Sequence, residues 1–272
     1  MELTEKLEWN GRTIAWGRRG RGPAVVFCHG TPFSSRVWSA HADALSNEFT
    51  VYLWDMPGYG ESSKRAGDAV DFDAQGKVLA ALLRHWGLER LHVIAHDYGG
   101  AASLRATLFE QATYTSLLLV DTVAIPPAGS PFFRFVQDNP TTLDQLPGYI
   151  HEAILRAYIQ NATLHGLRAN QLDQLVSPWL GEVGQPAFYR QIAQFDERYL
   201  QDIEDHLGKL SIPVKVLWGA DDAWLSPTIG RRLASLIPQA TYTEIPSSGH
   251  LMQYDAPIPL SHHLHSWLAQ VV

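Results

Sequence analysis

The run Val93-Ile94-Ala95-His96-Asp97-Tyr98-Gly99-Gly100-Ala101 ends a short apolar stretch with a carboxylate in a small-x-nucleophile-x-small-small pattern. That pattern fits a nucleophile elbow, a strained strand-to-helix turn that lifts one side chain above a sheet. Small residues at Ala95, Gly99 and Gly100 let strand and helix approach closely, and glycine tolerates the dihedrals such a turn needs. A serine at the apex would point to acyl transfer onto a hydroxyl. An aspartate instead attacks carbon and becomes an ester of the enzyme itself.

Three further segments gain meaning beside this one. His29-Gly30-Thr31-Pro32 follows an apolar run; Gly30 permits a sharp turn and Thr31-Pro32 can adopt a cis bond. The backbone N–H groups of Thr31 and Tyr98 would then form an oxyanion hole. The segment Trp218-Gly219-Ala220-Asp221-Asp222 also follows an apolar run, and an acid there would orient a histidine. Asp222, three residues after the glycine, is preferred, with Asp221 as a turn cap and Asp121, at the end of the preceding run, as the competing acid. Pro246-Ser247-Ser248-Gly249-His250 comes last and sets one histidine of 12 apart from the others. The order Asp97, acid, His250 is nucleophile, acid, base.

These side chains need a scaffold that brings four loops to one place. A hairpin-like start (about Leu7 to Trp16) leads to short β-rich runs at 24–28, 50–54, 91–95 and 116–120. Helical patterns at 36–45, 71–86 and 99–109 separate them, with Asp71 and Asp73 as helix caps. Continuous Val/Leu/Ile runs between helices predict a parallel sheet covered on both faces. From Pro126-Pro127 to about His206 the chain turns helical and aromatic. The alternation then resumes with strands at 214–218 and 241–245 and helices at 229–236 and 260–271. The expected organisation is an α/β core of residues 1–125 and 207–272, with a helical cap, 126–206, inserted after the sixth strand.

Composition narrows the classes. The 272 residues carry 21 basic and 28 acidic side chains, a net charge of −7, unlike a nucleic-acid binder. No stretch has the apolar length of a membrane span, and the start lacks a leader pattern, so a cytoplasmic protein is expected. Cys28 is the only cysteine, set in an apolar run as a buried thiol, so there is no disulfide scaffold. His262, His263 and His265 lack the acids a metal site needs and read as a solvated helix face. No metal or organic cofactor is called for, and the sequence does not set the oligomeric state.

Together the four ordered segments, with the turn Asp55-Met56-Pro57-Gly58-Tyr59-Gly60-Glu61-Ser62, resemble the α/β-hydrolase superfamily over essentially the whole chain. Within it, an Asp nucleophile with His-Gly-x-Pro resembles the epoxide hydrolase and dehalogenase branch. Haloalkane dehalogenases usually place Trp after the nucleophile and many place Asn after His-Gly; here those positions hold Tyr98 and Thr31. Fluoroacetate dehalogenases carry arginines where this chain has Tyr98 and Ala101. The resemblance therefore favours epoxide opening to a vicinal diol, with dehalogenation as the alternative and ester or lactone hydrolysis or a non-catalytic binding protein further off. Phe188-Tyr189-Arg190 resembles the aromatic-Tyr-Arg cap motif, which implies Tyr189 as proton donor to the leaving oxygen, with Tyr149 or Tyr158 as a second donor. The implied partners are water and a small hydrophobic substrate, held by cap aromatics among Phe132, Phe133, Phe135, Trp179 and Phe188.

Overall fold

A hairpin opens the chain because Asn10 and Gly11 both take positive φ (48° and 71°), the pair a tight two-residue turn requires. It joins β1 (Glu5–Trp9) to β2 (Arg12–Arg19), with Trp9 opposite Arg12. The strands that follow are β3 (Ala24–Cys28), β4 (Thr50–Trp54), β5 (Leu91–His96), β6 (Ser116–Val120), β7 (Val214–Gly219) and β8 (Thr241–Ile245). Every residue of β3, β5 and β6 is buried, as strands covered on both faces must be. The computed structural model, which describes residues 1–271, joins them in one sheet of order β1-β2-β4-β3-β5-β6-β7-β8. The β1–β2 and β2–β4 pairs are antiparallel and the remaining pairs are parallel.

Helices α1 (Ser39–Leu45), α2 (Phe72–Trp86) and α3 (Tyr98–Phe109) connect the first strands. The helix expected from Arg36 starts as a 3-10 turn over Ser35–Trp38 and becomes α-helical only at Ser39. Asp71 caps α2 by accepting from the Ala74 N–H (2.8 Å), and Gly87 ends it at φ 65° in the left-handed conformation. Asp73 is no cap: it pairs with Lys77 (2.6 Å) and Arg105 (3.1 Å) and so ties α2 to α3.

Between β6 and β7 the chain forms α4 (Pro131–Asp138), α5 (Pro140–Leu143), α6 (Gly148–Gln160), α7 (Ala169–Val176), α8 (Gly181–Ala193) and α9 (Arg198–Glu204). Among the described residues this segment contains no strand. Helices α10 (Pro227–Leu236), α11 (Met252–Asp255) and α12 (Pro257–Val271) complete the chain. Because β3 and β5 to β8 run parallel, the loops after them all leave from one edge of the sheet. That is where an open α/β sheet binds its ligands.

Helices α2 and α3 pack closely at Gly76, where an added Cβ would lie 2.8 Å from Arg105 Cβ and 3.3 Å from the Ala106 nitrogen. Helix propensity alone favours alanine over glycine by about 1 kcal/mol. Overpacking costs about 1–3 kcal/mol and is expected to win. Urea denaturation should therefore show Gly76→Ala less stable than the parent. Gly148→Ala, with nothing within 4 Å of the added Cβ, should be neutral or stabilising; the opposite ranking would refute this account of the interface.

Candidate active site

Asp97 sits between β5 and α3 at φ 49° and ψ −120°, a conformation a side-chain-bearing residue adopts only when held there. Three backbone bonds hold it. Its N–H donates to the Val120 carbonyl (3.2 Å), and its carbonyl accepts from Gly100 (2.9 Å) and Val123 (3.2 Å). The small residues around it are steric necessities. A Cβ on Gly99 would strike the Cys28 and His29 carbonyls, one on Gly100 would strike Thr122, and one on Gly30 would strike Asp97 itself.

The loop after β3 delivers the first partner. The Thr31 N–H donates to Asp97 Oδ1 at 2.6 Å, and the Thr31-Pro32 bond is cis. This loop is braced from below and above. From below, His29 Nδ1 donates to the Gly30 carbonyl (2.9 Å), while Nε2 accepts from the Met56 N–H (2.9 Å). Met56 belongs to the Asp55–Ser62 turn, whose Asp55 carboxylate accepts from the N–H groups of Ser35 (2.8 Å) and Glu61 (2.7 Å). From above, Gln191 of α8 accepts from the hydroxyls of Thr31 (2.7 Å) and Tyr59 (2.9 Å), and the Trp179 indole donates to the Pro32 carbonyl (2.6 Å).

The second partner is His250, fully buried in the loop after β8. Its Nδ1 lies 2.9 Å from Asp222 Oδ2, and its Nε2 lies 3.5 Å from Asp97 Oδ2. Asp222 is fixed in turn, since its Oδ1 accepts from the N–H groups of Trp224 (2.8 Å) and Leu225 (2.9 Å). Two rings pack against the imidazole: His96 (4.8 Å, tilted by 46°) and Trp224 (4.9 Å, 26° between planes). His96 Nε2 also bonds the His250 carbonyl at 2.9 Å. Burial pushes His96 down to about 3, so it is a neutral donor there.

The competing acid has a different neighbour. Asp121 Oδ1 accepts from the Gly219 N–H (2.6 Å), and its Oδ2 has no partner among the described residues. Burial, and then repulsion by Asp222, raises its carboxyl well above the usual range. Cys28 is wholly buried and pushed up to about 12, an unreactive thiol.

Above Asp97 lies a cavity of about 460 Å³ lined by the helical segment and by the loop after β7. Asp97, Thr31, Tyr98, Phe132, Phe133, Tyr158 and Trp224 all reach its wall. Tyr189 does not. Its hydroxyl bonds His151 Nδ1 (3.0 Å) inside the helical layer, and burial raises it to about 12 rather than the ordinary 10. The aromatic-Tyr-Arg motif therefore names a structural tyrosine here, because nothing in three residues says which face of α8 meets the cavity. Tyr149 is exposed and also apart from the cavity. Trp179 and Phe188 are buried in the helical layer and Phe135 faces outward, which leaves Phe132 and Phe133 as the lining phenylalanines of the expected set.

Tyr158 of α6 is the one of the three expected cap tyrosines that lines the cavity. Its ring stacks on Trp224 at 4.5 Å, and burial, then the nearby Asp97 charge, keeps it protonated. Sequence reasoning passed over Trp224, Gln191 and His96. The signals were an aromatic two residues beyond the preferred acid, and a histidine directly before the apex residue.

The matching family is described as the alpha/beta hydrolase fold, and the match spans residues 23–257. The chain belongs to the α/β hydrolase family. A solved α/β hydrolase fold protein from Burkholderia ambifaria is 40% identical to this hydrolase, with a TM-score of 0.94 and 97% of each chain covered. Bifunctional epoxide hydrolase 2 of Sus scrofa is 27% identical over 289 positions, covering 92% of this chain and 52% of that protein. Haloalkane dehalogenase 2 of Mycobacterium bovis is 24% identical over 254 positions, covering 88% of this chain and 85% of that protein. This hydrolase thus spans about half the length of the epoxide hydrolase it matches. Among the described residues, no helix is long and apolar enough to cross a membrane.

The charges around His250 have a measurable consequence. Burial opposes its protonation, but Asp222 and then Asp97 outweigh burial and raise its pKa well above 6.5. A raised folded-state pKa stabilises the fold fully below pH 6.5, and that stabilisation is lost as pH rises through the raised value. The stability gap between the parent and His250→Gln should therefore narrow toward alkaline pH in urea denaturation. A gap that stays constant or widens would show that the imidazole is neutral at rest.

Proposed function

We propose that this hydrolase opens an epoxide to a vicinal diol through an ester on Asp97. One observation carries the reading: a carboxylate at the elbow, with one oxygen on the Thr31 N–H and the other facing a histidine that is backed by Asp222. Asp97 attacks the less hindered ring carbon; the C–O bond breaks and its electrons go to oxygen. Tyr158 gives that oxygen its proton, taking the part expected of Tyr189.

At rest His250 is an imidazolium between two carboxylates. Esterification removes the charge of Asp97, so the imidazolium gives up its proton, which restores the Tyr158 phenol. The neutral imidazole then takes a proton from water while the hydroxide attacks the Asp97 carboxyl carbon. The oxyanion gathers on the Thr31 and Tyr98 N–H groups. Release of the diol returns Asp97 to carboxylate and His250 to imidazolium, with one water consumed. The aromatic walls suit a small hydrophobic guest. An epoxide hydrolase among the relatives supports the same chemistry.

A second reading, dehalogenation by the same carboxylate, is favoured by one feature. Trp224 and Asn161 share the cavity wall; the indole N–H is donated to the Asn161 carbonyl oxygen (3.2 Å), which leaves the Asn161 carboxamide N–H as the donor that would assist a departing halide. A haloalkane dehalogenase relative fits this reading equally.

Single turnover in heavy-oxygen water should label Asp97 rather than the product, and His250→Gln should accumulate a covalent adduct visible by mass spectrometry. Asp97→Ala should lose at least about 10³-fold in rate. Label passing straight into product would exclude the ester route. Halide release without any diol, across a mixed epoxide and organohalide panel, would select the second reading.

A further inference from the structure

Tyr98 carries a polar atom that the fold does not use. Its ring is caged by Phe72 (4.5 Å), Phe195 (6.2 Å) and Phe133 (6.4 Å), and the side chain is 3% exposed on the cavity wall beside Asp97. The hydroxyl is buried and has no partner among the described residues. Other buried phenols do find one: Tyr59 on Gln191, Tyr114 on the Ser103 carbonyl (2.9 Å) and Tyr189 on His151. A phenylalanine would fill the same cage without stranding a hydroxyl, so packing does not account for tyrosine at this position.

We propose that the Tyr98 hydroxyl is a substrate-binding donor, sharing the leaving oxygen with Tyr158 and selecting molecules whose electrophilic carbon bears a neutral oxygen acceptor. This inference rests on the ester-forming reading of Asp97 and assigns a side-chain role to a residue otherwise valued for its backbone N–H. Two features fit the geometry. Tyr98 opens α3 directly after the apex, so its ring is fixed by the same turn that fixes the attacking carboxylate. Burial, then the neighbouring Tyr59 and Asp97, holds its proton in place, so it acts as a donor and not as a base. It keeps that proton throughout; the proton that ends on the alkoxide comes from Tyr158.

Four proteins separate this inference from the reading beneath it. His250→Gln should form the Asp97 adduct with styrene oxide. Adding Tyr98→Phe should slow that step by about 10²-fold, with a melting temperature equal to or above that of His250→Gln, because a stranded hydroxyl has been removed. Adduct formation at the same rate, or slowing accompanied by a lower melting temperature, overturns the role of Tyr98. No adduct even with Tyr98 intact would sink the ester-forming reading instead. Tyr98 is then judged by calorimetric binding of styrene oxide to Asp97→Asn: the Tyr98→Phe change should weaken binding about tenfold, and equal affinity overturns the inference.

Discussion

The hydrogen bond from the Thr31 N–H to Asp97 Oδ1, made across a turn held at φ 49°, is the contact around which the rest of the molecule is arranged. A residue in that conformation stores about 1–3 kcal/mol of strain. The strain persists because backbone bonds from Gly100 and Val123 and the parallel pairing of β5 with β3 and β6 leave Asp97 nowhere else to go. The glycines at 30, 99 and 100 follow from the same demand: an added Cβ would meet the Asp97 side chain, the Cys28 and His29 backbone and the Thr122 side chain respectively.

Electrostatics then sorts three buried carboxyl groups by what each can reach. Asp97 and Asp222 both face the His250 imidazole and can share one positive charge. Among the described residues Asp121 reaches only a backbone N–H, and burial and the repulsion by Asp222 outweigh the attraction of His250, which favours its neutral form. The two acids that face His250 favour its protonated form. The rings of His96 and Trp224 pack against the imidazole, and its Nε2 faces Asp97.

Much of this was legible in the sequence, for a physical reason. Parallel strands buried on both faces must be continuous apolar runs, so Ala24–Cys28 and Ser116–Val120 were visible with their observed limits. Asp97 directly follows an apolar run, and Asp222 and His250 come a few residues after one, each near a glycine that lets the chain turn, which is what singles these positions out in the sequence. The helical layer offered no such register. Tyr158 and Tyr189 each lie on a helix, and only the rotation of that helix decides which phenol meets the cavity. The break in regularity that Pro186 imposes inside α8 adds to that ambiguity. Trp224 and Gln191 were opaque for a related reason: each matters through a partner far away in sequence.

Those distant partners bear on what the helical layer does. It is usual to regard such a layer as a lid that shapes a pocket. Here it also holds the chemistry in place. Gln191 and Trp179 grip the Thr31-Pro32 loop, the Ala162 carbonyl accepts from the Leu251 N–H (2.9 Å) beside His250, and Asp255 bonds Leu164 (2.8 Å) and Gly249 (2.9 Å) with one oxygen. Both groups that flank Asp97, the Thr31 N–H and the His250 imidazole, are thus anchored partly by residues between β6 and β7. A change in that segment that alters the shape of the cavity will also shift these anchors, so cavity shape and the placement of the Thr31 N–H and the His250 imidazole around Asp97 cannot vary independently in this chain.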